Sequence, residues 1–348
     1  FKQKTAYEIM PSLVGSEMCI RDRFLWIETH NAFATHEEVL KQVKEDMEIS
    51  KKVIWEKLGI PFLFFRRPPW DKFAGADDTY AADTLMPDGK VNQISSTHDL
   101  GRNFAKAFDI KFLDKDGKKK YVWQTCFGPG IWRIVAALIA VHGDDKGLIL
   151  PFDVAPIQVI IIPIVFSDED MKKVVKKCNQ IKKVITDAGF RCDVDLREET
   201  PGWKFNDWEL KGVPIRIEIG PREVVENQVT LCRRDTGKRI SVKDSELVEK
   251  IKQLKDDILE NLKKKAKKAF DEGIKHVATK EFLMELMRKG GIAKVNFCGR
   301  EECAMEIKEA TNGAKVRGVP LDLEEKPTGN CVWCGKKAKE VVYIAKAY

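Results

Sequence analysis

The chain has 348 residues, 43% of them hydrophobic and 33% charged, with a formal net charge of +7. That length suits two or three globular domains, and no apolar run approaches the ~20 residues of a membrane-spanning helix. The modest positive charge permits a polyanionic partner without requiring one. Nine cysteines, five of them scattered singly, fit a reducing compartment in which clustered thiols bind metal. The opening residues lack the apolar core of a secretory signal.

The first patterned stretch is FLWIETHNAFATHEEV (24–39). Read as a strand, it places Phe24, Trp26, Glu28 and His30 on one face and Leu25, Ile27 and Thr29 on the other. A carboxylate on a half-buried face needs a partner. The row therefore reads either as a solvated face with an ordinary salt bridge or as a pocket for a small cationic ligand with an apolar body. Thr35 and Glu38 form a capping box, and Leu40, Val43, Met47, Ile54 and Leu58 continue at helical spacing until Gly59 and Pro61 stop the helix. Residues 62–89 open as a strand and turn irregular, and 90–108 read as strand, turn and helix. A charged hairpin tip (114–120), a strand (121–127), a Gly-Pro-Gly turn (128–130) and a buried helix (131–143) follow. Hairpin-linked strands with helices between them predict a largely antiparallel sheet covered by helices.

The β-branched run PIQVIIIPIV (156–165) predicts a strand buried on both faces. An amphipathic helix (168–188), a strand (190–197), a short helix (203–211), a strand (213–221) and a hairpin (232–242) then alternate as in a compact α/β domain. Residues 244–272 read as a long Lys/Glu-rich helix, whose lysines are more simply a solvated face than an RNA contact.

Three constellations carry chemistry. Cys298 and Cys303 (C-x4-C) with Cys331 and Cys334 (C-x2-C) have the spacing of a tetrahedral zinc site, and four thiolates leave no open position, so the zinc is structural. Arg133 is a lone cation in the first turn of an apolar helix, which favours an anion site over a surface arginine. In QISSTHDLG (93–101), Gln93, Ser96 and His98 are candidates for a pocket wall. No Ser/His/Asp or Cys/His set stands out, and Cys126 has no identifiable base, which argues against covalent catalysis.

FLWIETHNAFAT, KFAGADDTYAAD, VNQISSTHDLGRNF, YVWQTCFGPGIWRIVAALIAVHGDDKGLILP and TPGWKFNDWELKGVPIRIEIGPRE, in this order and ahead of the four-cysteine end and final Tyr348, resemble a prolyl-tRNA synthetase of the archaeal/eukaryotic type. The first segment is similar to the second strand of class II motif 2, with Ile27 and Thr29 where the family has Gln and Gly, and the fourth is similar to motif 3. The resemblance implies a multidomain α+β and α/β protein: a class II antiparallel sheet with helices (24–153), an α/β anticodon-binding domain (154–245), then a helical connection and small zinc-binding C-terminal domain (246–348).

It also implies roles. Glu28 is expected to pair with the secondary ammonium of L-proline, Trp26 and Phe73 to wall its ring, and His30 and His98 to shape the pocket. Gln93 and Ser96 are expected between amino acid and nucleotide, and Arg133 on the ATP phosphates, with Mg²⁺ accompanying the triphosphate. The expected reaction is attack of the proline carboxylate on the α-phosphorus of ATP. Transfer to tRNA(Pro) follows, with release of AMP and pyrophosphate. Glu209, Lys211 and Arg222 are expected as exposed anticodon contacts, with Phe205 and Trp208 as stacking aromatics or core.

Motif 1, the proline-recognition loop and the first motif 2 strand have no counterpart in this sequence, and residues 1–23 read as non-native. The homodimer is therefore expected of the parent protein, and inactivity of the polypeptide as given. A cytoplasmic ligase without a membrane association is the first expectation. A non-catalytic tRNA- or RNA-binding relative is the second.

Overall fold

The computed structural model describes residues 25–165 and 167–348. The first part comprises β1 (Thr29–Phe33), α1 (His36–Ser50) continued by a π-helical turn (Lys51–Lys57), β2 (Leu63–Arg66), β3 (Asp78–Leu85), β4 (Val91–Gly101), α2 (Asn103–Ala107), β5 (Lys111–Leu113), β6 (Lys119–Tyr121), β7 (Trp123–Pro129) and α3 (Ile131–His142). The second part comprises β8 (Val159–Pro163), α4 (Asp168–Asp187), β9 (Cys192–Val194), α5 (Pro201–Leu210), β10 (Ile215–Ile219), α6 (Pro221–Val225), β11 (Gln228–Arg233) and β12 (Arg239–Lys243). The rest holds α7 (Leu247–Gly273), β13 (Ile274–His276), α8 (Lys280–Lys289), β14 (Ile292–Phe297), α9 (Glu301–Ala310), β15 (Lys315–Pro320) and β16 (Glu340–Ala345).

Local chemistry accounts for these boundaries. Thr35 Oγ1 accepts from the Glu38 backbone at 3.3 Å, and the Glu38 carboxylate accepts from the Thr35 backbone at 2.9 Å, so the capping box starts α1 where the sequence places it. Gly59, at φ +67°, ends the helical run. Three expectations are corrected. The ladder of β1 begins at Thr29, paired with Phe127, so Trp26 and Glu28 lie in its extended lead-in; Phe24 lies outside the described residues. The segment read as irregular after residue 66 contains β3, in which Ala81, Ala82, Asp83 and Thr84 are fully buried; their small side chains give it none of the bulky β-branched signal of a central strand. Finally, Gly128 and Pro129 are the end of β7 rather than a turn.

Among the described residues the larger sheet has nine strands, in the order β1-β7-β4-β3-β2-β15-β16-β14-β13. All neighbours are antiparallel except β13 and β14. The C-terminal strands thus continue the sheet of the first part, through Val319 opposite Arg66 and Pro320 opposite Phe65. Gly318 makes the join possible: at φ +121° it brings its Cα so close that a Cβ would lie 2.0 Å from the Arg66 carbonyl oxygen. The second sheet, β12-β11-β10-β8-β9, is parallel across β10, β8 and β9. Ile160, Ile161 and Ile162 of β8 are fully buried, as the continuous apolar run predicts. One stripe of α7, Leu247, Ile251, Leu254, Ile258 and Leu262, packs into the core of that sheet, while Phe270 near its end packs with Phe65 and Tyr343 of the larger one. The lysines of α7 lie outside this buried stripe.

Candidate functional site

The site depends on an irregularity in β4. Ala82 pairs with Ser95 and Asp83 with Gln93, so Ile94 is an extra residue in the strand. In a regular strand Gln93 and Ser96 would face opposite sides; the bulge turns Gln93 toward the side of Ser96 and His98. All three line one cavity of about 350 Å³. The intervening residues face α1: Ser95 meets Ser50 at 3.1 Å, and Thr97 donates to the buried Asp46 at 2.8 Å. A larger hollow of about 760 Å³ between α1, β2 and α7 has mostly apolar walls such as Trp55, Phe62 and Phe270, and gathers no reactive set.

Two aromatic groups wall the cavity. Trp26 lies across the end of β7, where a Cβ on Gly128 would sit 2.9 Å from its indole and one on Gly130 2.6 Å. The two glycines of the Gly-Pro-Gly stretch are therefore the bed of this ring. Phe73 stacks obliquely on His98, centroids 4.9 Å apart. Thr79 fixes both: its hydroxyl accepts from the Phe73 backbone at 2.9 Å and meets His98 Nδ1 at 2.9 Å. Burial pushes the His98 pKa down to about 4, so the ring is neutral at physiological pH.

Glu28 lies on the cavity wall with its side chain 53% exposed, 3.4 Å from His30 Nε2 and 3.4 Å from the Cys126 thiol. Burial, and then Glu28, push that thiol up to about 12, so Cys126 is a neutral neighbour rather than a nucleophile. At the far side Arg133, in the first turn of α3, donates to the Gln93 carbonyl at 3.1 Å and lies 5.6 Å from the centre of the Trp26 ring. The structure thus brings Trp26, Glu28, Phe73, Gln93, Ser96, His98 and Arg133 to one cavity, with His30 adjoining it through Glu28.

Sequence reasoning missed a group behind this wall. Asp83 is fully buried and accepts from two guanidiniums, Arg67 at 2.8 and 3.0 Å and Arg317 at 2.8 and 3.1 Å. Burial would raise its pKa, but the two cations outweigh burial and hold it at about 2. Arg67 also donates to Gln93 Oε1 at 2.8 Å and to the Arg317 carbonyl at 2.7 Å. Arg67 stands beside Arg66 in a strand–loop junction, and Arg317 is 250 positions away; no local pattern connects them.

On the second sheet the expected exposed contacts divide. Glu209 is less exposed than expected: 23% of its side chain is exposed, with one oxygen 3.1 Å from Arg216 and the other 3.8 Å from the exposed Lys146. Lys211 is half exposed, bonded to Asp207 at 2.9 Å and 4.6 Å from the Trp208 ring centre. Arg222 is 78% exposed, paired with Glu226 one turn on. Phe205 and Trp208 are half-buried against Ile160, Ile162 and Val213 and belong to the core. Trp203 is the exposed aromatic of α5, with the Arg197 guanidinium 4.9 Å from its ring centre.

The sulphurs of Cys298, Cys303, Cys331 and Cys334 lie within 4.8 Å of one another. Cys298 is 3.6 Å from Cys303 and 3.7 Å from Cys334. A tetrahedron with metal–sulphur bonds of about 2.3 Å has edges of about 3.8 Å; two edges already have that length and all lie within 4.8 Å, so the four thiols are placed to hold a zinc ion. Arg300, 3.1 Å from the Cys303 sulphur, offsets the surplus negative charge of four thiolates around a divalent ion.

The sequence matches the tRNA synthetase class II core domain (G, H, P, S and T) over residues 19–142, the anticodon binding domain over 158–254, and the prolyl-tRNA synthetase C-terminal domain over 279–348. A proline–tRNA ligase of Thermofilum pendens is 62% identical over 331 residues, covering 94% of this chain and 69% of the relative. Those of Ignicoccus hospitalis and Pyrococcus abyssi are 42% and 41% identical, each again over 94% of this chain and over 69% and 68% of their own lengths. Nothing in these matches supports a non-catalytic RNA-binding relative.

Proposed function

The chain belongs to the prolyl-tRNA synthetases, proline–tRNA ligases with a class II core, and from that premise we propose how its residues divide the reaction. Glu28 holds the secondary ammonium of L-proline. It is the one carboxylate whose charge faces the cavity between two aromatic walls without a Lys or Arg ion pair among the described residues, and this observation carries the proposal. Trp26 and Phe73 flank the pyrrolidine ring, where rigid planar groups bind a compact ring at small entropic cost. His98, neutral and tied to Thr79, keeps Phe73 in place, and His30 orients Glu28.

Arg133 receives the triphosphate of ATP. Its guanidinium is fixed by the Gln93 carbonyl and the Trp26 ring, so it meets developing phosphate charge without reorganising. Gln93 and Ser96 lie between the two substrates. Attack by proline's own carboxylate on the α-phosphorus needs no protein nucleophile, in keeping with the neutral Cys126 thiol. Positioning and charge stabilisation carry that step and the later transfer to tRNA.

On the second sheet, Lys211 and Arg222 contact the anticodon, with Trp203 as the stacking surface. The four cysteines hold a structural zinc ion, which fastens the segments around β14 and β16. Use of Mg²⁺ with ATP, a homodimer through class II motif 1, and a cytoplasmic setting belong to the same proposal. Among the described residues no helix is long and apolar enough to cross a membrane. The test is amino-acid-dependent ATP–pyrophosphate exchange by the full-length parent protein. Proline should stimulate it above alanine, cysteine or threonine, and Glu28→Gln should raise the proline KM with the ATP KM unchanged. Equal rises in both would contradict the assignment of Glu28.

A further inference from the structure

The buried Asp83 cluster reaches the cavity through one bond, and that bond has a chemical direction. A guanidinium has five N–H donors and no acceptor. The atom of the Gln93 carboxamide 2.8 Å from Arg67 is therefore its oxygen, and the amide nitrogen is left for the cavity. Arg67 thus decides that Gln93 offers a ligand N–H donors, suited to an anionic or carbonyl oxygen, rather than an acceptor.

Arg67 is itself oriented from the far end of the chain. It makes two bonds to Asp83, which makes two more to Arg317, and its remaining bond goes to the Arg317 carbonyl. Arg317 belongs to β15, next to Gly318, where the C-terminal strands join the larger sheet. All three charged side chains are at least nine-tenths buried, so water does not substitute for a missing member. We propose that Arg317 is a positioning residue of the active site: acting through Asp83 and Arg67, it fixes the Gln93 carboxamide with its N–H groups toward the nucleotide. The C-terminal segment thereby completes a catalytic wall that it does not touch. The nucleotide side of this statement rests on the role proposed above for Gln93.

Arg317→Met leaves one cation facing one carboxylate, so the buried cluster becomes charge-balanced and the fold is expected to survive. In this variant Asp83 loses the two bonds from the Arg317 side chain, so the Asp83–Arg67 pair, still held by the backbone carbonyl of residue 317, gains freedom and the Gln93 carboxamide is less firmly oriented. The expected result has two parts, both measured in the zinc-loaded full-length parent protein. The side-chain amide resonance of Gln93, assigned by its loss in Gln93→Leu, moves toward the position of a mobile glutamine. The ATP KM in pyrophosphate exchange rises about tenfold, the size of one hydrogen bond, while the proline KM stays within about twofold. Arg317→Lys, which keeps the charge but not the planar fork, recovers part of both signals. A Gln93 resonance unmoved in a folded Arg317→Met protein overturns the positioning role. Equal rises in both KM values overturn it too, because a general structural defect gives that pattern. If the resonance moves but Gln93→Leu leaves the ATP KM unchanged, the positioning stands and the nucleotide role of Gln93 falls.

Discussion

Two carboxylates on or beside the same sheet meet opposite fates. Asp83 in β3 is fully buried and faces two guanidiniums at 2.8–3.1 Å. Glu28, just before β1, is half exposed and faces an imidazole and a neutral thiol. The difference shows what makes a charge available. Asp83 has more positive charge around it than it needs and so serves the fold, whereas Glu28 lacks a fixed cation and can take one from a ligand. Burial alone does not mark the functional acid; the surplus or deficit of cations around it does.

The sharpest contrast comes from the most enclosed charges. Stripping zinc with a chelator should destabilise the cysteine cluster on the order of 10 kcal/mol, read as an early transition in thermal unfolding restored by added zinc. Because β15 carries Arg317, that transition should also perturb the Gln93 resonance. Unchanged melting after chelation would show that the four thiols do not hold a stabilising ion. Next in size, Asp83→Asn leaves two buried guanidiniums without their counter-charge and should cost about 3–5 kcal/mol in urea unfolding. A loss below about 1 kcal/mol would break the comparison, because Asp83 would then be no more structural than a surface acid.

His98 gives a smaller, pH-dependent effect. Its pKa falls from 6.5 to about 4 on folding. Between those values the unfolded chain binds more protons, so the stability from keeping the ring neutral is complete above pH 6.5 and declines as pH falls toward 4. The loss between pH 7.5 and pH 5 should be about 2 kcal/mol, and His98→Gln should remove it. A variant that keeps the full pH dependence would place its cause elsewhere. The smallest expected change is in the stability of Glu28→Gln, within about 0.5 kcal/mol of the parent chain, because an exposed acid with no fixed cation has little to lose.

Local chemistry was the legible part of this molecule. The Thr35 capping box, the β-branched run of β8 and the paired cysteines act over a few residues and leave their spacing in the chain. The helix-mouth Arg133 and the alternation of Trp26, Glu28 and His30 were legible for the same reason, even though regular pairing starts only at Thr29. The bulge at Ile94 was not, because it exists only against the partner register of β3. The use of Gly128 and Gly130 as a bed for Trp26 was hidden because the ring comes from about 100 residues earlier in the sequence. The pairing of Glu209 with Arg216 was hidden as well, because charge beside aromatics reads as an exposed contact and Arg216 lies on a neighbouring strand. The Asp83 cluster joins three distant positions through burial, which the sequence does not encode locally.

The central claim, that Glu28 is the counter-charge for proline's nitrogen, is tested most directly by varying ligand charge and carboxylate together. Calorimetry would compare L-proline with its ring-oxygen isostere, tetrahydrofuran-2-carboxylate, on the parent chain and on Glu28→Gln. We expect the parent to prefer proline by about 100-fold, the worth of a charged hydrogen bond in a partly desolvated site, and Glu28→Gln to reduce that preference to within a few-fold. A preference that survives the substitution undiminished would contradict the account.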